Sequence, residues 1–380
     1  MIDFTLTDEQ ELLLESLGEW LEQCQYGDDY FKECWENAVY PIEFEKEFMS
    51  SDFGKLGLPE DLGGMPVDSL TMALLDMTMA KHNRPSVTTQ LMNVDSIAHF
   101  GTKAHFERAI AGMQQGLMPS ALACSEPGAG SDNSSISTSY VRKDGKIILN
   151  GTKTMCTNAD HCAQLQVIAR DFSVESPYKG MTAFMVDPNA PGVKIQPMHK
   201  IGARMFTMCE VFFEDVELTE ADIFGQEHKG FYQLMHNFET ERLCICSVQV
   251  GVSMLAYNDA YAYAQERVQF GQKIGDFQLV RQMIANMAMK IENMRNMVYR
   301  VGWMIDNKMS IRAESAECKL YCTRSSNEIC DDALQIMGGI GYTEDCRISK
   351  LWRDVRVSRI GGGTDQIMIN NIYKAAPKQF

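Results

Sequence analysis

One carboxylate in the chain lies among apolar residues at helical spacing. Glu241 lies three residues after Phe238 and four before Ile245, so a helix would place all three on one apolar stripe. Burial raises the pKa of a carboxylate toward the range in which it can accept and return a proton. The alternative is a helix Glu paired with a cation four residues away, but positions 237 and 245 hold Asn and Ile. The pattern therefore indicates a candidate acid/base.

Two stretches rich in small and hydroxyl-bearing residues could hold a flat or anionic ligand. Residues 125–132 read SEPGAGSD and follow an apolar run, and their glycines would let backbone N–H groups approach a ligand closely. Residues 151–158 read GTKTMCTN and follow the predicted strand at 146–149. Taken alone, each stretch fits an ordinary turn as well as a binding loop.

Three later motifs add glycines and polar side chains. They are RVQFG at 267–271 with Gln278 seven residues further on, QIMGGIGY at 335–342, and GGGTDQ at 361–366. The Arg267 guanidinium has a planar fork of donors that matches pyrophosphate oxygens, although a solvated helix Arg has the same sequence pattern. Phe270 fits a core position as well as a cofactor contact. No G-x-G-x-x-G follows a first strand, so a nicotinamide-binding Rossmann domain is not expected.

The elements that must position these residues follow the order helices, strands, helices, which predicts an α+β fold. Ten of the 11 prolines lie between Pro41 and Pro197, and none lies between residues 198 and 376. Since proline costs about 3 kcal/mol inside a helix, the last third is predicted to be helical. Thr7 and Gln10 have the spacing of a helix capping box. Further helical patterns lie at 42–54, 68–82 and 103–115.

The middle of the chain contains short apolar runs between turn signals, which predict a small antiparallel β barrel or sandwich. These runs are residues 146–149, 165–169, 182–186, 193–195 and 212–218. The predicted domains are therefore an N-terminal helical domain at 1–118, a middle β domain at 119–225, and a C-terminal four-helix bundle at 226–380.

Composition excludes several classes of partner. The net charge of −16 argues against nucleic acid and anionic membranes, and no run of about 20 apolar residues occurs. Acidic residues near the start argue against a signal peptide.

The 12 cysteines include no C-x-x-C pair. The closest spacings, Cys244 to Cys246 and Cys318 to Cys322, match no zinc pattern. We therefore predict no metal site, reduced cysteines and a cytoplasmic location.

Taken together, the order and spacing of these motifs resemble the acyl-CoA dehydrogenase flavoprotein family from end to end. That resemblance implies the three-domain acyl-CoA dehydrogenase fold, FAD as the cofactor, an acyl-CoA or enoyl-CoA substrate, electron-transferring flavoprotein as the electron partner, and a homotetramer. It implies that much of each FAD is bound by a neighbouring subunit. The implied cofactor contacts are Ala123, Cys124, Ser125, Gly130, Ser131, Met155, Thr157, Arg267, Phe270, Gln278, Gln335, Gly338, Gly339, Thr364 and Gln366.

The resemblance also implies substrate contacts, and this chain differs from many family members at two positions, 155 and 362. Ser131, Glu239 and Arg242 resemble residues that contact the CoA ester. Many members carry an aromatic residue where Met155 stands, so the outer face of the flavin would differ here. Many members also place the catalytic Glu where this chain has Gly362. A minority carry it on a bundle helix, at the position of Glu241, while the Gly362 N–H can still bond the thioester oxygen.

Within the family, the segments 6–12, 267–279 and 347–354 resemble a reductase branch that acts on crotonobetainyl-CoA in the carnitine pathway. The expected activity is thus enoyl-CoA reduction or its reverse, the oxidation of an acyl-CoA such as γ-butyrobetainyl-CoA. Short-chain or aryl esters of the acryloyl, cinnamoyl or caffeyl type remain alternatives. An acyl-CoA oxidase and a non-catalytic binding protein of the same fold are more distant ones.

Overall fold

The computed structural model describes residues 5–60, 64–86 and 88–375, except for the side chains of residues 88–92, 236 and 239. Its first part is helical. The predicted capping box is confirmed, because the Thr7 hydroxyl accepts from the Gln10 N–H and the Gln10 side chain accepts from the Thr7 N–H. The helices are α1 (Asp8–Gln23), α2 (Asp28–Asn37), α3 (Ile42–Ser50), α4 (Ser69–Lys81), α5 (Thr88–Phe100) and α6 (Lys103–Met113).

The middle part is an eight-stranded sheet, and two of its interior strands are buried on both faces. Its strands are β1 (Ala121–Ala123), β2 (Ser139–Lys143), β3 (Lys146–Thr157), β4 (Leu165–Arg170), β5 (Met181–Val186), β6 (Val193–Pro197), β7 (Met208–Leu218) and β8 (Ile223–Phe224). They pair in the order β6-β7-β3-β2-β4-β5-β8, with β1 beside β4. All five predicted strands are present, and so is β1, the apolar run before residue 125; β2 and β8 were not predicted.

Two features of this sheet correct the prediction of an antiparallel barrel. Among the described residues the strand pairings form an open path from β6 to β8 and do not close into a ring. The pairs β1–β4 and β2–β4 are parallel, which requires crossovers rather than hairpins. Apolar runs predict that strands exist, but they do not show which strands pair in parallel, as β1 does with β4.

The C-terminal part contains three long helices, α7 (Gly230–Glu266), α8 (Gln278–Asp306) and α9 (Arg312–Met337), which pack against one another. Helix α11 (Asp365–Ala375) packs on α9, and α4 from the N-terminal part packs on α7 and α8. A short hairpin of β9 (Val268–Gln269) and β10 (Gln272–Lys273) joins α7 to α8, and α10 (Arg347–Asp354) follows α9. None of the helices in the described ranges combines the length and apolar composition that a membrane span needs.

Candidate active site

Glu241 and Gly362 lie side by side, although 121 positions separate them in the chain. Glu241 is near the beginning of α7, and Gly362 lies in the turn before α11. A Cβ atom added at Gly362 would lie 3.9 Å from Oε1 of Glu241 and 2.7 Å from Cδ1 of Ile245. The backbone of Gly362 has φ of 63°, in the left-handed region that favours glycine. The Ile245 side chain thus occupies the space nearest Gly362, and the Glu241 carboxylate borders that space.

Two cations, Arg242 and Lys319, hold this turn against the bundle. Arg242 donates from Nε to the Gly362 carbonyl at 3.2 Å, and from Nη1 to the Ser315 hydroxyl at 3.4 Å. The fully buried Lys319 on α9 donates to the Gly363 carbonyl. These contacts fix the backbone around position 362 from both α7 and α9.

The start of α11 is anchored by a separate network. Asp365 is buried and accepts from Arg324 at 3.0 Å and from Arg359 at 2.7 Å. Its pKa is lowered, because these guanidinium bonds outweigh the opposing effect of burial. Thr364 caps the helix by accepting from the Ile367 N–H at 3.3 Å. The predicted cofactor contacts Thr364 and Gln366 therefore lie on a rigid helix N-terminus.

The protein environment raises the pKa of Glu241. The main cause is desolvation of the carboxylate, which the positive charges of Arg242 and Lys319 oppose. The residue keeps part of its surface open to solvent, so it is shielded but accessible. Burial also lowers the pKa of Lys319 to about 8. A half-buried carboxylate of this kind suits reversible proton transfer.

The predicted substrate contacts have different outcomes. Arg242 is only 8% exposed, and the hydrogen bonds described for it go to the Gly362 carbonyl and the Ser315 hydroxyl. The side chain of Glu239 lies outside the described part of the chain. Ser131 and Gly130 are exposed in the loop after β1. A Cβ at Gly130 would meet no atom within 4 Å, so this loop has room for a ligand.

The loop after β1 and the end of β3 lie together, as the sequence motifs require if they serve one ligand. The Ser125 carbonyl accepts from the Thr154 N–H at 2.8 Å. Two predicted cofactor contacts, Met155 and Thr157, are exposed on β3. Met155 has φ of 57° beside a register shift in the β3–β7 pairing. Such strained backbone in a non-glycine residue is often found at functional sites.

A buried ion pair beneath this surface escaped the sequence analysis. Lys153 is fully buried and donates from Nζ to the Glu126 carboxylate at 2.8 Å and to the Cys124 carbonyl at 2.9 Å. Glu126 also accepts from the backbone N–H of Ser137 at 2.6 Å and of Thr138 at 2.9 Å. Burial alone would raise the pKa of Glu126, but Lys153 and the Ser137 bonds lower it to about 2. The pair fixes the loop that carries Ser125.

The remaining predicted contacts cluster at the other end of the bundle. Arg267 directly follows α7, Gln278 begins α8, and Gln335 and Gly338 close α9. Since α7, α8 and α9 run alternately up and down, these three termini lie at the same end. All four residues are exposed.

Phe270 is the most exposed large apolar residue in this cluster. It is 95% exposed, and both Phe270 (φ 52°) and Gly271 (φ 78°) have the left-handed backbone of a two-residue hairpin turn. A positive φ is a strong outlier for a bulky side chain, and a fully exposed ring gains nothing from burial within its own chain. This combination favours a contact with a ligand or with another subunit.

The described residues fit an FAD molecule if two chains contribute to it. The 26 positions from Glu241 to Arg267 correspond to about 39 Å along a helix, which is longer than an extended FAD. The predicted cofactor contacts of one chain therefore fall into two separate groups, termed half-sites: one with Ser125, Met155, Thr157 and Gly362, and one at the far end of the bundle. The second half-site has an exposed guanidinium, amide donors and open space at Gly338 and Gly339, where an added Cβ would meet no atom within 4 Å. These are suitable groups for a dinucleotide pyrophosphate.

Comparison with known proteins agrees with this geometry. Residues 7–117, 121–216 and 228–376 match the families described as the N-terminal, middle and C-terminal domains of acyl-CoA dehydrogenase. The chain belongs to the acyl-CoA dehydrogenase family. It is 44% identical over 370 residues to the probable acyl-CoA dehydrogenase YdiO of Escherichia coli K12, covering 97% of this chain and 96% of that one.

Solved structures of other proteins share the fold of this acyl-CoA dehydrogenase family member. Butyryl-CoA dehydrogenase from Megasphaera elsdenii has a TM-score of 0.90 at 27% identity, covering 99% of this chain and 100% of the other. A chain from a study of the electron-transferring flavoprotein of Acidaminococcus fermentans has a TM-score of 0.91 at 27% identity, covering 99% of both chains. The protein is accordingly an FAD-dependent oxidoreductase that acts on the CH–CH group of an acyl-CoA. The roles of individual residues remain predictions.

Proposed function

We propose that this enzyme interconverts an acyl-CoA and its α,β-enoyl-CoA, with Glu241 as the group that moves the Cα proton. The observation that carries the proposal is the 3.9 Å separation between Oε1 of Glu241 and a Cβ at position 362. A carboxylate on α7 and a carboxylate at position 362 would reach into the same space. Glu241 therefore supplies the carboxylate that Gly362 lacks.

The chemistry of the chain's own residues follows from this arrangement. FAD, when bound, supplies the hydride acceptor for oxidation or the hydride donor for reduction. Glu241 removes the proton from Cα in the oxidative direction and returns it in the reductive direction. The Gly362 N–H donates to the thioester oxygen, where negative charge develops as Cα loses its proton. Arg242 and Lys319 keep that backbone in place.

The raised pKa of Glu241 determines opposite pH dependences for the two directions. Oxidation requires the carboxylate, so its rate should fall as the pH decreases through that pKa. Reduction requires the protonated acid, so its rate should fall as the pH rises through it. The measurement is the rate of the chemical step in each direction across pH, with the ester saturating. Parallel profiles in the two directions would contradict the assignment.

For the substrate, we propose crotonobetainyl-CoA and its reduced product γ-butyrobetainyl-CoA. The support is the resemblance carried by segments 6–12, 267–279 and 347–354. Crotonobetainyl-CoA carries a trimethylammonium group, which aromatic rings can bind. Two aromatic residues considered for this role, Trp352 and Tyr342, lie away from Glu241. Trp352 donates to Asp331 on the bundle surface, and Tyr342 follows the end of α9, about 27 Å along that helix from Lys319. Neither can contact an acyl group beside Glu241 of the same chain.

A panel of enoyl-CoA esters tests this substrate directly. We expect kcat/KM for crotonobetainyl-CoA to exceed those for crotonyl-, acryloyl- and cinnamoyl-CoA by at least about tenfold, equivalent to 1.4 kcal/mol of transition-state binding. Crotonyl-CoA is the matched control because it lacks only the ammonium group. Equal values would place the enzyme among the alternative short-chain or aryl reductases. Rapid reaction of the reduced enzyme with O2 during turnover would instead indicate an oxidase.

For the assembly, we propose a homotetramer in which each FAD is held by two chains, with electron-transferring flavoprotein as the electron partner. The separation of the two half-sites supports shared cofactor binding. No disulfide joins the cysteines in the described part of the chain, which supports a reducing compartment such as the cytoplasm. The net charge of −16 remains an argument against a nucleic-acid-binding member of this fold.

Arg267→Ala should weaken FAD binding about 10- to 100-fold, because a charge-assisted hydrogen bond contributes about 1.5–3 kcal/mol. The measurement is the FAD dissociation constant of the reconstituted protein, with the oligomeric state checked in parallel. Arg300→Ala serves as the control, because it removes an exposed arginine of α8 that is not among the predicted cofactor contacts. Unchanged FAD affinity in Arg267→Ala would remove this residue from the cofactor site.

A further inference from the structure

Three cysteine sulfurs meet in the core of the C-terminal domain. Cys246 lies on α7, and Cys318 and Cys322 lie one turn apart on α9. Their Sγ atoms are all within 4.8 Å of one another, and those of Cys318 and Cys322 are 3.8 Å apart. Each residue is at most 1% exposed. The 72 positions between Cys246 and Cys318 hide this cluster from any spacing rule.

The size of the triangle is that of a three-coordinate thiolate site. Metal–thiolate bonds in proteins are about 2.3 Å long for zinc and similar ions. A metal at the centre of an equilateral triangle with such bonds holds its sulfurs about 4.0 Å apart. The cluster therefore needs only small side-chain adjustments to bind an ion between α7 and α9.

The ligand set and its surroundings determine which ion would fit. Thiolates favour soft metals. Zinc in structural sites almost always takes four ligands, and no further Cys, His, Asp or Glu in the described parts of the chain joins the three. Softer divalent ions bind thiolates well with three ligands. In a dry core the charge must also be balanced.

Lys319 supplies that balance. It follows Cys318 on α9, its side chain is fully buried, and its charge interacts with Cys246. Three thiolates around a divalent ion carry a net charge of −1, which one ammonium group neutralises. A monovalent ion in the same site would leave a net charge of −1 after pairing with Lys319. Divalent ions are therefore favoured.

We propose that Cys246, Cys318 and Cys322 form a binding site for a soft divalent metal ion, with three sulfur ligands and Lys319 as the counter-charge. Each thiol that becomes a ligand releases its proton to solvent. Because the sulfurs are buried, uptake requires local opening between α7 and α9 and should be slow. The site does not include Glu241, although the charge of Lys319 acts on both Glu241 and Cys246.

Cadmium(II) is the probe for this site. The FAD-loaded enzyme is equilibrated without oxygen with Cd(II) and a competing chelator, and binding is followed to completion. We expect one tightly bound cadmium ion per chain, with three sulfur neighbours at its X-ray absorption edge. Fewer than three sulfur neighbours, or no retained cadmium, would overturn the proposal. Loss of thiols without bound metal would show a disulfide instead and would also overturn it.

Alanine variants of the proposed ligands test which cysteines bind the ion. Cys318→Ala and Cys246→Ala should each weaken cadmium binding by at least about tenfold, since even second-shell changes at metal sites cost 10- to 100-fold. Cys330→Ala is the matched control, because Cys330 is also buried on α9 but lies outside the cluster. The wild-type measurement stands by itself if an alanine variant fails to fold. Equal affinity in the wild type and in folded Cys318→Ala would contradict the assignment.

Discussion

Replacing Glu241 with glutamine should lower turnover by at least about 100-fold, and by as much as about 10,000-fold, because general acid/base catalysis typically contributes factors of this size. Glutamine keeps the volume of the side chain beside Gly362 and removes only its ability to take up and release a proton. The FAD content and the dissociation constant of the CoA ester should change little. The measurement is kcat with saturating ester, normalised to bound flavin.

Glu292→Gln provides the matched control for that result. Glu292 is an exposed residue of α8 that pairs with Arg295 at 3.1 Å, so the same chemical change there should leave turnover intact. If both variants keep near-normal turnover and bound flavin, Glu241 is a structural residue and another group or water transfers the proton.

Replacing Lys153 with methionine should lower the free energy of unfolding by about 3–5 kcal/mol, because removal of one partner leaves the other charge of a buried pair uncompensated. Glu126 would lose its ion pair while its remaining bonds come from Ser137 and Thr138. The loop with Ser125 should loosen, so FAD binding should weaken as well. The measurement is urea denaturation of both proteins at equal FAD and protein concentrations.

Lys146→Met is the control for this change, since it lies on the same strand. Lys146 is exposed and pairs with the exposed Glu217, and such surface pairs contribute only about 0–1 kcal/mol. A comparable loss of unfolding free energy in both variants would mean that the effect of Lys153→Met does not come from the buried pair. The pair's stabilisation should also disappear as the pH falls toward 2, since the pKa of Glu126 is depressed in the folded state and its stabilising effect needs the carboxylate.

Much of the fold could be predicted because local patterns determine it. The capping box at Thr7 and the helix that carries Glu241 are determined by neighbouring residues, and both are present in the structure. The short strands β1 and β8 and the open, partly parallel sheet depend on pairings between distant segments. No periodicity records such pairings, so the sequence predicted an antiparallel barrel or sandwich where the structure has an open, partly parallel sheet.

The candidate site, like the fold, could be predicted only in part from the sequence. The position of Glu241 on an apolar stripe could be seen in the sequence, whereas its proximity to Gly362 depends on how α11 packs on α9. Lys153 and Lys319 were missed because a single lysine in an apolar segment does not reveal its partner. Cys246, Cys318 and Cys322 were dismissed on spacing, which is informative only when ligands lie close together in the chain.

The most direct test of the role of Glu241 is a single-turnover experiment with the oxidised, FAD-loaded enzyme. Wild type and Glu241→Gln are each mixed rapidly with excess saturated acyl-CoA, and the loss of flavin absorbance is followed. This isolates the step in which the Cα proton is removed, without contributions from product release or the electron partner. We expect flavin reduction in Glu241→Gln to be at least about 100-fold slower at unchanged ester affinity. Equal rates of flavin reduction in the two proteins would contradict the assignment of Glu241 as the catalytic base.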